Sequence, residues 1–394
     1  MAQAELLPLK DSDFRSWKLL EDFNAALGKA VKRSQVHSSF RSPARLLHLG
    51  QYLSLFLFGL FNPILKTARA ACEASHLKRV QEEVCGRPVS LTSFSEAQHL
   101  VNPDILKMVF GQLVGQLPPG QSGPSVLNWQ QWFARDSSVF AALPRMTWAL
   151  YGGGHAGAPN RAVRLHLNFN VLKDRPSLAD ITRGRICERK SWEDQLEAGA
   201  GYIGDRYYSK NYKLFGKLID LGCPFVLRLA EEATITILEQ IEVTEADRRE
   251  GVVRQAWCIL GKDDSQSVRV RVIWIEGKHT AMMLVTQLTP EVLPACMASI
   301  LYRRRWQIEC FFKWIKCLLG CRHWMAESQQ GVALQLYLAL IASVLLEICL
   351  GRRPNKRMLE LIQLHQMGYA STEELIAGLK REQAKEEVRK KSGR

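Results

Sequence analysis

No pair of cysteines in the 394 residues has CxxC spacing, so the ten cysteines form no recognisable zinc or dithiol module. They read as reduced thiols. Also missing is an unbroken apolar stretch of the ~20 residues a membrane span needs. Residues 49–65 come near it but contain Gly50, Gln51, Gly59, Asn62 and Pro63, and residues 334–350 carry Gln335 and Glu347. Both are expected to be buried helices of a soluble protein with no membrane partner. The first residues, Met1-Ala-Gln-Ala-Glu5, are polar and run into Lys10-Asp-Ser-Asp13, which does not resemble a secretory signal. A cytoplasmic location is expected. There is no internal repeat. What the chain has in excess is positive charge: +14 net, with a sequence pI near 9.4, which favours a polyanionic partner.

Composition shifts divide the chain. Residues 1–124 read as an all-helical N-terminal domain, with a basic entry at 29–45 and a helix across 66–85. Gly86-Arg-Pro88 breaks that helix, and Ser93-Phe-Ser-Glu96 resembles a capping box that starts the next. Helix, break and capped helix is compatible with a DNA-binding helix-turn-helix. Pro118-Pro-Gly-Gln-Ser-Gly-Pro124 reads as a linker. Strands follow at 130–135, 163–171, 200–205 and 224–229, with a helix at 212–221, so residues 125–230 suit a mixed α/β sheet flanked by helices. Residues 231–290 read as an antiparallel β insertion with strands at 233–241, 252–260, 268–275 and 281–288. Helices return in 291–330 and in 331–394, which ends in a charged tail.

The run Tyr302-Arg-Arg-Arg-Trp-Gln-Ile-Glu309-Cys-Phe-Phe-Lys-Trp-Ile-Lys316 carries the most chemistry. As one helix it places Tyr302, Arg305, Glu309 and Lys316 within roughly 60° of arc over about 21 Å, while Ile308, Phe311, Phe312, Ile315, Leu318 and Leu319 centre on a different side as a packing face. A carboxylate displayed among cations suits a nucleic-acid phosphate site. The plainer reading is a surface pair of Glu309 with Lys313. Partner acids upstream decide between the two, because metal-assisted phosphodiester chemistry wants several carboxylates on rigid elements. Asp205 closes the apolar run Tyr202-Ile-Gly-Asp205 and precedes Arg206-Tyr-Tyr. Asp136 follows Trp132-Phe-Ala-Arg135 at the end of a short strand. Asp174, after the alternating strand at 163–171, is its rival.

Cys310, Cys317, Cys321 and His323 could suggest zinc, but Cys310 and Cys317 lie about 10 Å apart along a helix, too far for one ion. Trp257 and Trp274 in the insertion are candidates for stacking on an unpaired base, though core packing is the commoner fate of such rings.

The spacing Y-x2-R-x3-E-x6-K resembles the signature of bacterial insertion-sequence DDE transposases with an RNase H-like catalytic core. Asp136-Ser-Ser138, Asp205-Arg-Tyr-Tyr-Ser209 and Phe225-Val-Leu-Arg228 are similar to that family's other motifs. The separations, 205 − 136 = 69 and 309 − 205 = 104 residues, leave room for the β insertion such transposases carry before the last acid. The resemblance implies an RNase H-like mixed sheet flanked by helices, with Asp136, Asp205 and Glu309 holding Mg2+ or Mn2+. Tyr302, Arg305, Lys316 and Arg206 would contact DNA. It further implies partners in double-stranded DNA, both element ends and target, a homodimer when assembled on DNA, and a nucleoid-associated bacterial protein. An inactive DNA-binding repressor or retired transposase, or an RNase H-like nuclease, would carry much the same residues.

Overall fold

The computed structural model describes residues 18–117, 131–150, 161–184, 192–193, 195–210, 212–261, 267–277, 282–318 and 324–391. The expected linker at 118–124 and the residues Cys321 and His323 lie outside the described residues. The chain folds into two compact units, one of residues 1–118, 141–162 and 312–394, the other of residues 119–140 and 163–311.

The first unit begins with helices α1 (Lys18–Lys32), α2 (Leu49–Phe61), α3 (Ala68–Ala74), α4 (Leu91–Leu100) and α5 (Asp104–Gln116). Apolar residues surround α2 on all sides, so it is buried almost throughout, with Tyr52 and Phe56 meeting Phe94 of α4 edge-on or tilted at 5.0 and 5.5 Å. The single helix expected across 66–85 is instead α3, a short turn at Lys78–Val80 and a π turn at Gln81–Cys85 that closes on Gly86 at φ 73°. The cap of α4 is likewise not the Ser93–Glu96 box. Leu91 and Thr92 are already helical, so the cap falls to Ser90, whose hydroxyl accepts from Ser93 N–H at 3.1 Å.

Among the described residues nine strands form one sheet, centred on the second unit: β1 (Trp132–Ala141), β2 (Ala162–Asn170), β3 (Arg175–Arg183), β4 (Gly201–Gly204), β5 (Phe225–Arg228), β6 (Ile235–Ile241), β7 (Val252–Leu260), β8 (Val268–Ile275) and β9 (Met282–Thr286). Their order is β3-β2-β1-β4-β5-β9-β8-β7-β6. Strands β1, β4 and β5 run parallel and β2 with β3 antiparallel, the arrangement of an RNase H-like core. The antiparallel insertion does not stand apart. Its last strand, β9, pairs with β5 at Leu227↔Val285, so the insertion lengthens the core sheet.

Helix α6 (Tyr212–Asp220) covers both parts: Leu214, Phe215 and Leu218 share one core with Tyr202 and Phe225 of the central strands and Cys258, Val270 and Val272 of the insertion. A short helix inside the insertion, α7 (Glu245–Arg249), precedes α8 (Ala295–Arg303) and α9 (Trp306–Leu318). Strand β3 was not expected from the sequence. Its alternation is hidden by Pro176 and by the polar residues Asp180, Thr182 and Arg183.

The first unit is completed by α10 (Gln329–Leu350), α11 (Lys356–Gln366) and α12 (Thr372–Lys391). Helix α10 is long and apolar enough to cross a bilayer, yet 78% of its most apolar window is buried inside the protein. It packs against α1, α2, α4 and α5.

One buried group makes stability pH-dependent. His166 on β2 is fully buried, with Nε2 2.9 Å from Thr182 Oγ1, and burial with Arg135 and Arg164 nearby lowers its pKa to about 3. Its folded pKa lies below the ordinary ~6.5, so its contribution is complete above that value and is lost as pH falls from there towards 3. Urea unfolding is expected to show stability falling below pH 6 by up to about 1.4 kcal/mol per pH unit from this group. His166→Gln should flatten that slope.

Candidate active site

The first two acids follow the pairing of β1 with β4. β1 pairs with β4 at Trp132↔Gly201, Phe133↔Tyr202 and Ala134↔Ile203, a constant offset of 201 − 132 = 69. Asp136 and Asp205 each lie two residues beyond the last paired position, Ala134↔Ile203, towards the same end of these parallel strands. Asp136 is not at a strand end as expected. It lies mid-strand, because β1 continues to Ala141 after its pairing with β4 has stopped. The rival Asp174 is exposed in the turn of the β2–β3 hairpin with φ 48°, a left-handed conformation that a short acidic side chain tolerates.

Asp205 is held by its neighbours. A Cβ on Gly204 would come within 2.9 Å of Leu227 and 3.0 Å of Tyr208, so glycine lets the turn after β4 close tightly. Trp192, fully buried, meets the Tyr208 ring edge-on at 4.3 Å and pins that turn. Asp205 Oδ1 accepts from Tyr207 N–H at 2.9 Å. Arg206 projects as an exposed cation next to it.

The run from Tyr302 to Lys316 is not one helix. Helix α8 ends at Arg303, Arg304 and Arg305 form a turn, and α9 starts at Trp306. The junction tightens to three-residue hydrogen bonds, with Arg305 N–H donating to Tyr302 C=O at 2.9 Å and Ile308 N–H to Arg305 C=O at 3.1 Å.

The consequence is that Arg305 points inward. Its Nη1 lies 3.3 Å from Asp136 Oδ2 and its Nη2 2.5 Å from Glu309 Oε1. Glu309 therefore pairs with Arg305. The three side chains are 16%, 22% and 28% exposed for Arg305, Asp136 and Glu309. Burial opposes the guanidinium charge, but Tyr302, Glu309 and Asp136 outweigh it and raise the Arg305 pKa.

Tyr302 is not displayed either. It is 8% exposed, with its ring centroid 5.9 Å from the Arg305 guanidinium carbon. Burial raises its pKa, Arg305 and Arg228 oppose this, and Asp205 adds to the rise, so Asp205 faces the same cluster. Phe311 packs on Phe169 of β2 at 5.6 Å, which fixes the first turns of α9, and Glu309 with them, against the sheet. Lys316 sits in the last turn of the same helix, half-buried.

Sequence reasoning missed a buried polar network beside Asp136. Arg135, 1% exposed, donates to Asn168 Oδ1 at 2.8 Å and to Gln195 Oε1, and Gln195 donates to Asp180. Alternation along β1 could have flagged it, since Arg135 and Asp136 must face opposite sides of the sheet.

Trp257 and Trp274 are each half-buried with an arginine over the ring, Arg269 at 5.2 Å and Arg254 at 5.0 Å. Trp274 also packs against the core beneath α6.

A family model described as a transposase DDE domain matches residues 133–345, more than half of the chain and the whole stretch from Asp136 to Glu309. The chain belongs to the DDE transposases. Curated relatives are a transposase-named protein, y4zB, of Sinorhizobium fredii (strain NBRC 101917 / NGR234), 29% identical over 61% of this chain and 65% of its own length. Another is a transposase-named protein of insertion sequence element IS5377 from Geobacillus stearothermophilus, 26% identical over 53% of this chain and 54% of its own. The matches thus span less than two-thirds of each relative. A cryo-EM structure of a piggyBac transposase synaptic complex with hairpin DNA is similar at a TM-score of 0.43 and 10% identity, covering 90% of this chain and 78% of that one.

Membership of the DDE transposases implies use of divalent metal ions. Carboxylates are the donors hard ions prefer, so Asp136, Asp205 and Glu309 fit such an ion by chemistry. Among the described residues no three acidic, histidine or cysteine side chains converge closely enough to form a finished metal cage. Asp136 and Glu309 turn to Arg305 instead.

Proposed function

We propose that this chain is the transposase of a bacterial insertion sequence, which binds the element's terminal inverted repeats and cuts and joins DNA there. The observation that carries this reading is the convergence of Asp136 and Glu309 on one guanidinium, with Asp205, like Asp136, two residues beyond the end of the β1–β4 pairing. In the first reaction a water oxygen bonds to phosphorus at the element's end and the P–O3′ bond breaks, leaving a 3′-OH. In the second that hydroxyl attacks a target phosphodiester and displaces the target's own 3′ oxygen.

Asp136, Asp205 and Glu309 would hold Mg2+ or Mn2+, which supplies a nucleophile at neutral pH and charge stabilisation on the leaving oxygen. The chain's own part is positioning. Arg305 neutralises the two carboxylates and is suited to grip a phosphate bidentately once they turn away from it. Tyr302, stacked beneath it, limits where that fork can point. Exposed Arg206 and, in the last turn of α9, Lys316 would each supply a further cation for the backbone of double-stranded DNA. Two ends must be held together before joining, so a homodimer on DNA follows from the same reading.

The test uses labelled duplexes carrying the sequences that flank the gene, Mg2+ and a target plasmid. A transposase yields joined product, a nuclease only cut ends, and a repressor only a retarded duplex. Either of the last two outcomes sinks the proposal. Chelating the metal is expected to stop cutting and joining while the retarded complex persists, as gel assays with and without EDTA would show.

A further inference from the structure

We propose that residues 242–250 of the insertion form a positioning clamp for the helix pair bearing Tyr302, Arg305 and Glu309, with Asp247 as its principal positioning residue. The inference rests on the site reading of Arg305 and Glu309 given above. The break at Arg304 and Arg305 creates the need, because two short helices joined by a turn do not share the stiffness of one continuous helix. Something else must set the direction of α8.

Helix α8 cannot cap itself: Pro294 at its N-cap makes no side-chain hydrogen bond. The cap comes from 49 residues away, where Asp247 Oδ1 accepts from Cys296 N–H at 2.7 Å. Its other oxygen, Oδ2, accepts from Thr244 N–H at 3.1 Å and from the Thr244 hydroxyl at 2.8 Å, closing a capping box on α7. Asp247 is 3% exposed, and although burial opposes its charge these hydrogen bonds hold its pKa below the usual value. A carboxylate at that point also meets the positive end of the α8 dipole.

Further contacts tie down the rest of α8. Arg271, fully buried on β8, donates to the Leu293 carbonyl just before the helix and to Gln255 Oε1 at 3.5 Å. Gln255 in turn donates to the Glu242 carbonyl at 2.6 Å. Ser299 Oγ donates to the Glu250 carbonyl at 3.2 Å, and Arg303 bonds Ser299 at 3.1 Å while pairing with Glu250. Both ends of α8 are thus held by the insertion, and Tyr302 lies in the last turn so held.

The experiment compares wild type, Asp247→Ala and Asp247→Asn as full chains. Amide hydrogen exchange is followed peptide by peptide, and kcat and KM are measured for cleavage of a labelled duplex carrying the gene's flanking sequence. Asp247→Ala should speed exchange in residues 295–303 about tenfold or more without changing β4 or β5. It should also lower kcat about 10–100-fold with KM within twofold. Asp247→Asn keeps an oxygen for Cys296 N–H and should recover kcat to within about threefold of wild type.

Unchanged exchange in α8 overturns the clamp, as does faster exchange with cleavage intact, or a loss of cleavage that only tracks the unfolded fraction. If Asp247→Ala does not fold, Arg303→Met, at the exposed end of the clamp, is judged by the same criteria. Should wild type not cleave at all, the proposed function fails, and exchange alone then decides the clamp.

Discussion

Asp205→Asn is expected to abolish cutting and joining, by at least about a thousandfold, while retaining binding to the same duplex. The substitution keeps size and the oxygen that accepts from Tyr207 N–H, so the turn after β4 should survive. What it removes is negative charge at the position facing Tyr302. A neutral amide is a poor ligand for a hard divalent ion and cannot offset its charge. Glu309→Gln should give the same loss, with release of its ion pair to Arg305 as an added structural effect. The informative measurement is single-turnover cleavage of a labelled end, set beside a gel-shift titration of the same variants. Retained cleavage with Asp205→Asn would remove Asp205 from the site.

Trp132→Ala is expected to cost about 3–5 kcal/mol of folding stability, the largest single-residue stability effect predicted here. The indole is fully buried at the start of β1 and lies directly over Gly201, where an added Cβ would come within 2.5 Å of it. Glycine on β4 and tryptophan on β1 are therefore complementary, and truncating the ring leaves a void that a glycine cannot fill. The Trp132 carbonyl also accepts from Val171 N–H at 2.9 Å, so the same residue links β1 to the segment after β2. Urea denaturation at neutral pH measures the loss. A change under 1 kcal/mol would mean that the surrounding strands collapse around the gap. Because β1 carries Asp136 and β4 leads into Asp205, cleavage should fall along with stability.

Asp136 and Asp205 were legible as candidates because each follows a short apolar run, and period-two alternation is a local signal. The spacing from Tyr302 to Lys316 was equally visible. Its conformation was not, since helical periodicity continues smoothly across Arg304 and Arg305 while the turn there depends on hydrogen bonds made three residues apart. β3 was hidden by its proline and polar residues, and is a strand only because β2 supplies its backbone partners. The cap on α8 was invisible for a related reason: its donor and acceptor are 49 residues apart, and a capping rule reads only three or four.

The one-dimensional pattern thus determined most of the kinds of element and the cationic run, and marked the candidate acids, because hydrophobic alternation and residue chemistry are properties of short stretches. Tertiary structure alone decided that β1 pairs with β4 just ahead of Asp136 and Asp205 and that Arg305 turns inward between Asp136 and Glu309. It also decided that the insertion extends the sheet and caps the helix leading to Arg305. Those outcomes depend on pairings between distant segments, whose free energy is set by packing and burial once the chain has closed on itself.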